Sequence, residues 1–363
     1  MKIGILTWHK ELNHGAVLQA YASQCILSEL GVKSVMLDYI ASCDNNMNQT
    51  FSKKARRLLK KLNIQALKTR YKLKKWNKDK ANAFENFRKS KCNLGNMYNV
   101  ENGLDKVLIG SDMVFDFYEG YNPFMYGKNV KSDYIFSYAA CFGYATKTLL
   151  DNYSNKDEII YYIKKLKAVA YRDDNTGEIL RDVCGIQNPV KTIDPVLLYG
   201  FREEQKKWNE HNWKSRRYVL IYSYTYNMDS KNEVEKIKEF AKVRNLEIIS
   251  VGYLHLWCDE CVNADPKEFV ELFANAEFVF TDTFHGTIFS LTFSKQFLVL
   301  IRDNAFKVKD IMFSLGLEKY LQGSIDDKIE FVKSNPLNYK NINKKIDELK
   351  IVSKGYINQQ IES

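Results

Sequence analysis

Only five histidines occur in 363 residues, and one of them, His285, stands inside the polar run Thr281-Asp282-Thr283-Phe284-His285-Gly286-Thr287. The apolar stretch 278–281 before it reads as a strand, and a helix opens near His285. At a helix N-terminus the dipole disfavours a charged imidazole, which leaves a neutral group able to act as a base. The free N–H groups there also attract a phosphate or a carboxylate. A histidine that only caps the turn is the competing reading. Asn13-His14-Gly15-Ala16 lies between another strand and helix, where Gly15 would let backbone approach a ligand closely. The further glycines of a dinucleotide fingerprint are missing, and a plain turn capped by Asn13 fits equally well. Gly110-Ser111-Asp112 follows a third strand. Its Ser111 and Asp112 either cap a helix or offer a ligand contact and a carboxylate for proton transfer. His255, Cys258 and Cys261 have zinc-ligand character but lack a fourth partner nearby, so no metal site is expected.

These turns need a scaffold, and the chain alternates between strand-like and helix-like segments. Residues 2–7 form a strand, 17–30 a helix ended by Gly31, and 34–37 a second strand, a βαβ unit that implies a parallel sheet. Strands at 106–109, 133–138 and 168–172 follow, with helices at 156–166 and 177–184. After Asp194-Pro195 a second series begins, with strands at 218–222, 247–251, 278–281 and 297–300 and helices between them. The expected organisation is α/β, with two Rossmann-like domains at 1–200 and 201–335 and a cleft between them. A polar amphipathic tail helix, 336–363, would pack back across both domains.

Composition narrows the function classes. Apolar content of 45% with five prolines describes a globular chain. The net charge of +10 is local: sixteen Lys or Arg face only Asp79 and Glu85 between Lys53 and Lys91, so the remainder is slightly acidic. Segment 52–91 therefore reads as a basic helical insertion in the first domain, with Leu58, Leu62, Leu73, Trp76, Phe84 and Phe87 at helical spacings. A solvated helix face is one reading of it. Peripheral contact with an anionic membrane is the other. Seven scattered cysteines suit reduced thiols, and the apolar N-terminal run is too short for a signal peptide. No stretch of about 18 apolar residues occurs, so the expected place is the cytoplasm, with the basic segment at the inner membrane face.

Six pieces, in order, resemble the polysaccharide pyruvyl transferase family. They are NHGAVLQAYA (13–22), IGSDMVFD (109–116), SYAACFG (137–143), AYRDDNTGEIL (170–180), IDPVLL (193–198) and TDTFHGTIFSLTFSKQF (281–297), the last usually written with Ser where Thr283 stands. The resemblance implies a GT-B-like fold with the active site between its halves. It implies phosphoenolpyruvate as co-substrate, no cofactor, and a sugar acceptor in a cell-surface polysaccharide or its lipid-linked precursor. It places His285 and its neighbours Thr283, Phe284 and Gly286 on the donor-site motif and Arg172 on the family's arginine. In that scheme His285 is the base or donor clamp and Asp112 a candidate acid. Arg172 grips the donor carboxylate or phosphate with two hydrogen bonds, and Asn13, Gly15 and Ser111 complete the substrate contacts. His14, Met113 and Phe115 depart from the common pattern, which bears on the acceptor more than on the donor.

Three other classes share features with this sequence. A sugar-nucleotide glycosyltransferase would share the two-domain fold but release a nucleoside diphosphate. The basic segment could bind nucleic acid through charge, though its rings fit an apolar helix face as well as a stacking platform, so no specific nucleic acid is expected. A redox role for Cys258 and Cys261 is the weakest of the three.

Overall fold

The computed structural model describes residues 1–40, 64–118, 120–302 and 305–363. Two five-stranded parallel sheets organise the chain. The first contains β1 (Lys2–Leu6), β2 (Lys33–Asp38), β3 (Leu94–Met97), β4 (Lys106–Ile109) and β5 (Ile135–Ser137), in the order β3-β2-β1-β4-β5. Parallel bridges at Phe136–Ala168 and Ala140–Tyr171 attach a small pair, β6 (Ala170–Tyr171) and β7 (Val190–Lys191), to its β5 side. The second sheet contains β8 (Tyr218–Tyr222), β9 (Glu247–Val251), β10 (Glu260–Val262), β11 (Phe278–Thr281) and β12 (Gln296–Val299), in the order β10-β9-β8-β11-β12. The central strands β4, β8 and β11 are buried along their whole length, as apolar runs covered on both faces must be.

Both sheets reverse their strand order beside the first strand, at β1/β4 and at β8/β11. Ligands collect at such switch points, outside the carboxyl ends of the strands. The three polar turns singled out in the sequence occupy these ends: 13–16 after β1, 110–112 after β4 and 281–287 after β11.

One hydrophobic cluster joins the two halves, running from Ile3 and Val17 through Ile193 to Phe269 and Phe289. His14 is part of that joint. Its ring stacks on Phe269 at 4.3 Å and an interplanar angle of 10°, and its Nε2 lies 2.9 Å from the carbonyl of Ala264. His14 thus packs between the domains as a flat ring would.

The C-terminal helix, Tyr339–Glu362, touches both halves. Lys345 Nζ donates to the Leu315 carbonyl at 2.9 Å near its start, and Tyr356 Oη donates to the Ser137 carbonyl at 2.8 Å near its end.

Lys53, Lys54, Arg56, Arg57, Lys60 and Lys61, on which a membrane contact would rest, lie outside the described residues. Ile64–Lys91 is one helix whose later part buries Phe84, Phe87 and Lys80 and leaves Lys72, Lys74, Lys75 and Lys78 exposed. Lys80 Nζ donates to the Gly252 carbonyl at 3.0 Å, and Asn263 Nδ2 donates to the Trp76 carbonyl at 2.8 Å. Burial pushes the Lys80 ammonium down to about 8. Among the described residues, no helix is long and apolar enough to cross a membrane.

Candidate active site

The β11 turn is built before it is functional. Thr283 is extended (φ −112°, ψ 151°) and caps the Phe284–Thr292 helix by accepting from the Gly286 N–H at 2.9 Å. A Cβ on Gly286 would stand 2.0 Å from Thr281 Oγ1, so only glycine lets strand and helix meet this closely. The next close approach crosses the domains. A Cβ on Gly15 would meet the His285 ring at 2.1 Å. Gly15 therefore makes room for His285, in place of the ligand contact expected of it. On its other side His285 Nε2 lies 3.6 Å from Asp194 Oδ2, beyond hydrogen-bond reach, and has no other partner.

Behind the histidine lies an ionic network. Arg172, 5% exposed, donates from Nη1 to Asp194 Oδ2 at 2.5 Å and from Nη2 to Asp112 Oδ1 at 2.9 Å. Its guanidinium lies 4.1 Å from the centre of the Phe284 ring, which covers it through a cation–π contact. Both prongs of the arginine are thus taken by carboxylates, and only its buried Nε is without a partner. The expected two-pronged grip on the donor is not made by this arrangement; Arg172 instead holds two acids in place.

Asp112 has φ +71°, a left-handed conformation that aspartate tolerates better than most residues. Burial alone would raise its carboxyl, but Arg172, Lys307 and His285 outweigh that and hold it well below the usual range. Asp112 is a fixed carboxylate, so the expectation of a proton donor there is corrected. Asp194 is likewise pulled down against its burial, by His285 and Arg172.

A cavity of about 540 Å³ opens in front of this network. Asn13, Asp112, Thr283, Phe284 and His285 line it, whereas Gly15, Ser111, Arg172 and Gly286 stand behind its wall. Ser111 is fully buried; its Oγ donates to Gln19 Oε1 at 2.7 Å and its carbonyl accepts from Thr7 Oγ1 at 2.9 Å, tying the β1 and β4 turns together. Of the other two departures, Met113 lines the cavity and Phe115 is buried against Tyr126. Trp8, Tyr144, Tyr222 and Tyr224 supply aromatic wall.

The sequence reading passed over two cations in the wall, Arg302 and Lys307. Lys307 is the second residue of the Phe306–Ser314 helix, with Nζ 5.7 Å from the Phe284 ring centre and 5.9 Å from that of Tyr144. Burial would lower its ammonium, yet attraction to Asp112 leaves it raised. Among the described residues it has no ion pair within 4.0 Å, so the charge is available to a ligand. The available signal was two basic residues within one loop of a predicted strand end. His255 is occupied otherwise: its ring nitrogens lie 3.2 Å from Asp229 and 3.1 Å from the Ser223 carbonyl. Among the described residues no three His, Cys, Asp or Glu side chains are grouped to hold a metal.

Comparison with solved structures shows the fold. The UDP-GlcNAc 2-epimerase of Neisseria meningitidis, bound to UDP-GlcNAc, superposes at a TM-score of 0.56 with 12% identity over 100% of both chains. A UDP-N-acetylglucosamine 2-epimerase assignment from Listeria monocytogenes gives 0.50 and 12%, over 100% of this chain and 96% of that one. At such identity the likeness carries the architecture alone, two Rossmann-like domains in the GT-B arrangement. No curated protein matches the chain. The model of one family, polysaccharide pyruvyl transferase, matches residues 13–304, a span holding the three polar turns, Arg172 and Arg302 but not Lys307. The chain belongs to the polysaccharide pyruvyl transferase family and is therefore a transferase.

Proposed function

We propose that the protein moves the enolpyruvyl unit of phosphoenolpyruvate onto two hydroxyls of one sugar, giving a cyclic pyruvate ketal and inorganic phosphate. The acceptor is a sugar of a capsule or exopolysaccharide, or its lipid-linked precursor, modified in the cytoplasm. One observation carries the reading: Lys307, an ammonium without an ion pair among the described residues, faces the ionised Asp112 across a cavity whose wall holds His285.

A ketal needs one proton delivered to the methylene carbon and C–O bonds formed from two sugar hydroxyls to the central carbon. Its bond to the phosphate oxygen breaks. Of the two hydroxyl protons, one ends on the new methyl group and the other leaves with phosphate. His285 takes a proton from a hydroxyl and passes one to carbon, with Asp194 Oδ2 3.6 Å from its Nε2. Lys307 and the N–H groups opening the Phe284–Thr292 helix hold the donor's phosphate and carboxylate. The ionised Asp112 sets the place of Lys307, and the aromatic wall receives the apolar face of the sugar.

The test is phosphate release from phosphoenolpyruvate in the presence of glycan precursors, with His285→Ala beside the native protein. Release of nucleoside diphosphate from a sugar nucleotide would instead favour the glycosyltransferase reading.

A further inference from the structure

Lys307 depends on the helix that carries it, and that helix is tied to the opposite domain one turn further on. Asp310 Oδ1 lies 2.8 Å from Lys191 Nζ and accepts the Asp174 N–H at 3.1 Å. Lys191 Nζ also donates to Asp174 Oδ1 at 2.7 Å. Asp310 belongs to the Phe306–Ser314 helix of the second domain; Lys191 ends β7 and Asp174 opens the Asp174–Glu178 helix, both in the first. The three groups thus span the cleft, and a side cavity of about 90 Å³ separates them from the network, bordered by Arg172, Asp194, Phe284 and Lys307.

The arrangement is costly for a mere surface contact. The Asp310 side chain is only 10% exposed, whereas the Asp174 side chain is 69% exposed. Burial pushes the Asp310 carboxyl up, Lys191 pulls it back, and the nearby Asp174 carboxylate opposes Lys191. A buried carboxylate kept beside a second carboxylate by one lysine is weak evidence for stability. It does fix geometry, because Asp310 and Lys307 are three residues apart and so share one helix face.

We propose that Asp310, Lys191 and Asp174 form a clasp across the cleft that positions Lys307 over the donor site. The clasp touches no reacting atom. It sets where the ammonium stands relative to Asp112 and His285. This rests on the proposed use of Lys307 for the donor.

The experiment compares native protein with Asp310→Asn, Asp310→Glu, Lys191→Met and Lys191→Arg. Steady-state phosphate release is measured against phosphoenolpyruvate and acceptor separately, and hydrogen exchange is followed over residues 306–314. Asp310→Asn and Lys191→Met should each lower kcat/KM for phosphoenolpyruvate about tenfold, with the acceptor KM unchanged, and speed exchange in 306–314. Asp310→Glu and Lys191→Arg should recover most of the loss. Unchanged donor kinetics and unchanged exchange would overturn the clasp, as would a lower melting temperature with native kinetics, or failure of both charge-removing variants to fold. If native protein releases no phosphate from phosphoenolpyruvate, the functional reading fails, and the exchange measurement still decides whether Asp310 and Lys191 hold this helix.

Discussion

Replacing Gly15 by alanine asks whether His285 must stand where it does. The new Cβ would lie 2.1 Å from both Cγ and Nδ1 of the imidazole. Ordinary van der Waals contact begins near 3.4 Å, so the ring would have to retreat by about 1.3 Å. Little room exists behind it, because Nε2 already stands 3.6 Å from Asp194 Oδ2. Gly15 is the second residue of the His14–Glu29 helix, where alanine gains up to about 1 kcal/mol in propensity while overpacking costs roughly 1–3 kcal/mol. Those terms nearly offset, so the variant should fold with a stability change within about 2 kcal/mol. Turnover should suffer far more, since a misplacement of about 1 Å in a reacting group costs on the order of 10²-fold. Urea unfolding and steady-state phosphate release, run on one preparation, separate the two effects. Native turnover in folded Gly15→Ala would refute the claim that this contact holds a working histidine.

Two further outcomes follow from the same network and a third from two buried histidines outside it. Lys307→Met should leave folding intact and reduce kcat/KM for the donor on the order of 10²-fold, as expected when an electrostatic clamp is lost; a change under about threefold would place the donor elsewhere. Asp112→Asn should destabilise the fold by about 3 kcal/mol, because it strips Arg172 and Lys307 of a buried counter-charge, and chemical denaturation would show it. Burial lowers His9 to about 4 and His14 well below 6.5, so both are neutral when folded and take up protons when unfolded. Their stability contribution is full above about pH 6.5 and is lost as pH falls below it, at up to about 1.4 kcal/mol per unit for each. Melting temperature should therefore drop between pH 6.5 and 5, and His14→Phe should flatten that slope.

The strands of both central layers were readable because parallel strands covered on two faces are unbroken apolar runs, as in KVLI (106–109) and YVLIY (218–222). Short polar edge strands such as Leu94–Met97 (LGNM) and Glu260–Val262 (ECV) carry no such signal. Turn chemistry was partly legible: Asn13 is a cap by type, whereas the cap of the second turn is Thr283 and not the histidine. Pairing across the fold was not. Nothing local to Arg172 shows that Asp112 and Asp194, 60 and 22 residues away, occupy both prongs. His14 likewise looked like part of a ligand turn until Phe269 was brought beneath it. Lys307 was hidden among 54 lysines and arginines, and its place in the cavity wall near Asp112, which is what distinguishes it, is a property of the folded chain.

The central claim, a ketal made from phosphoenolpyruvate across a cleft centred on His285, has one direct test. Native protein and His285→Ala are incubated with phosphoenolpyruvate and soluble or lipid-linked glycan precursors, with phosphate release and acceptor mass followed together. Native protein should release one phosphate for each acceptor that gains a pyruvate less water, and His285→Ala, folded, should do neither. Native-like turnover by His285→Ala, or consumption of a sugar nucleotide with no phosphate released from phosphoenolpyruvate, would contradict the account.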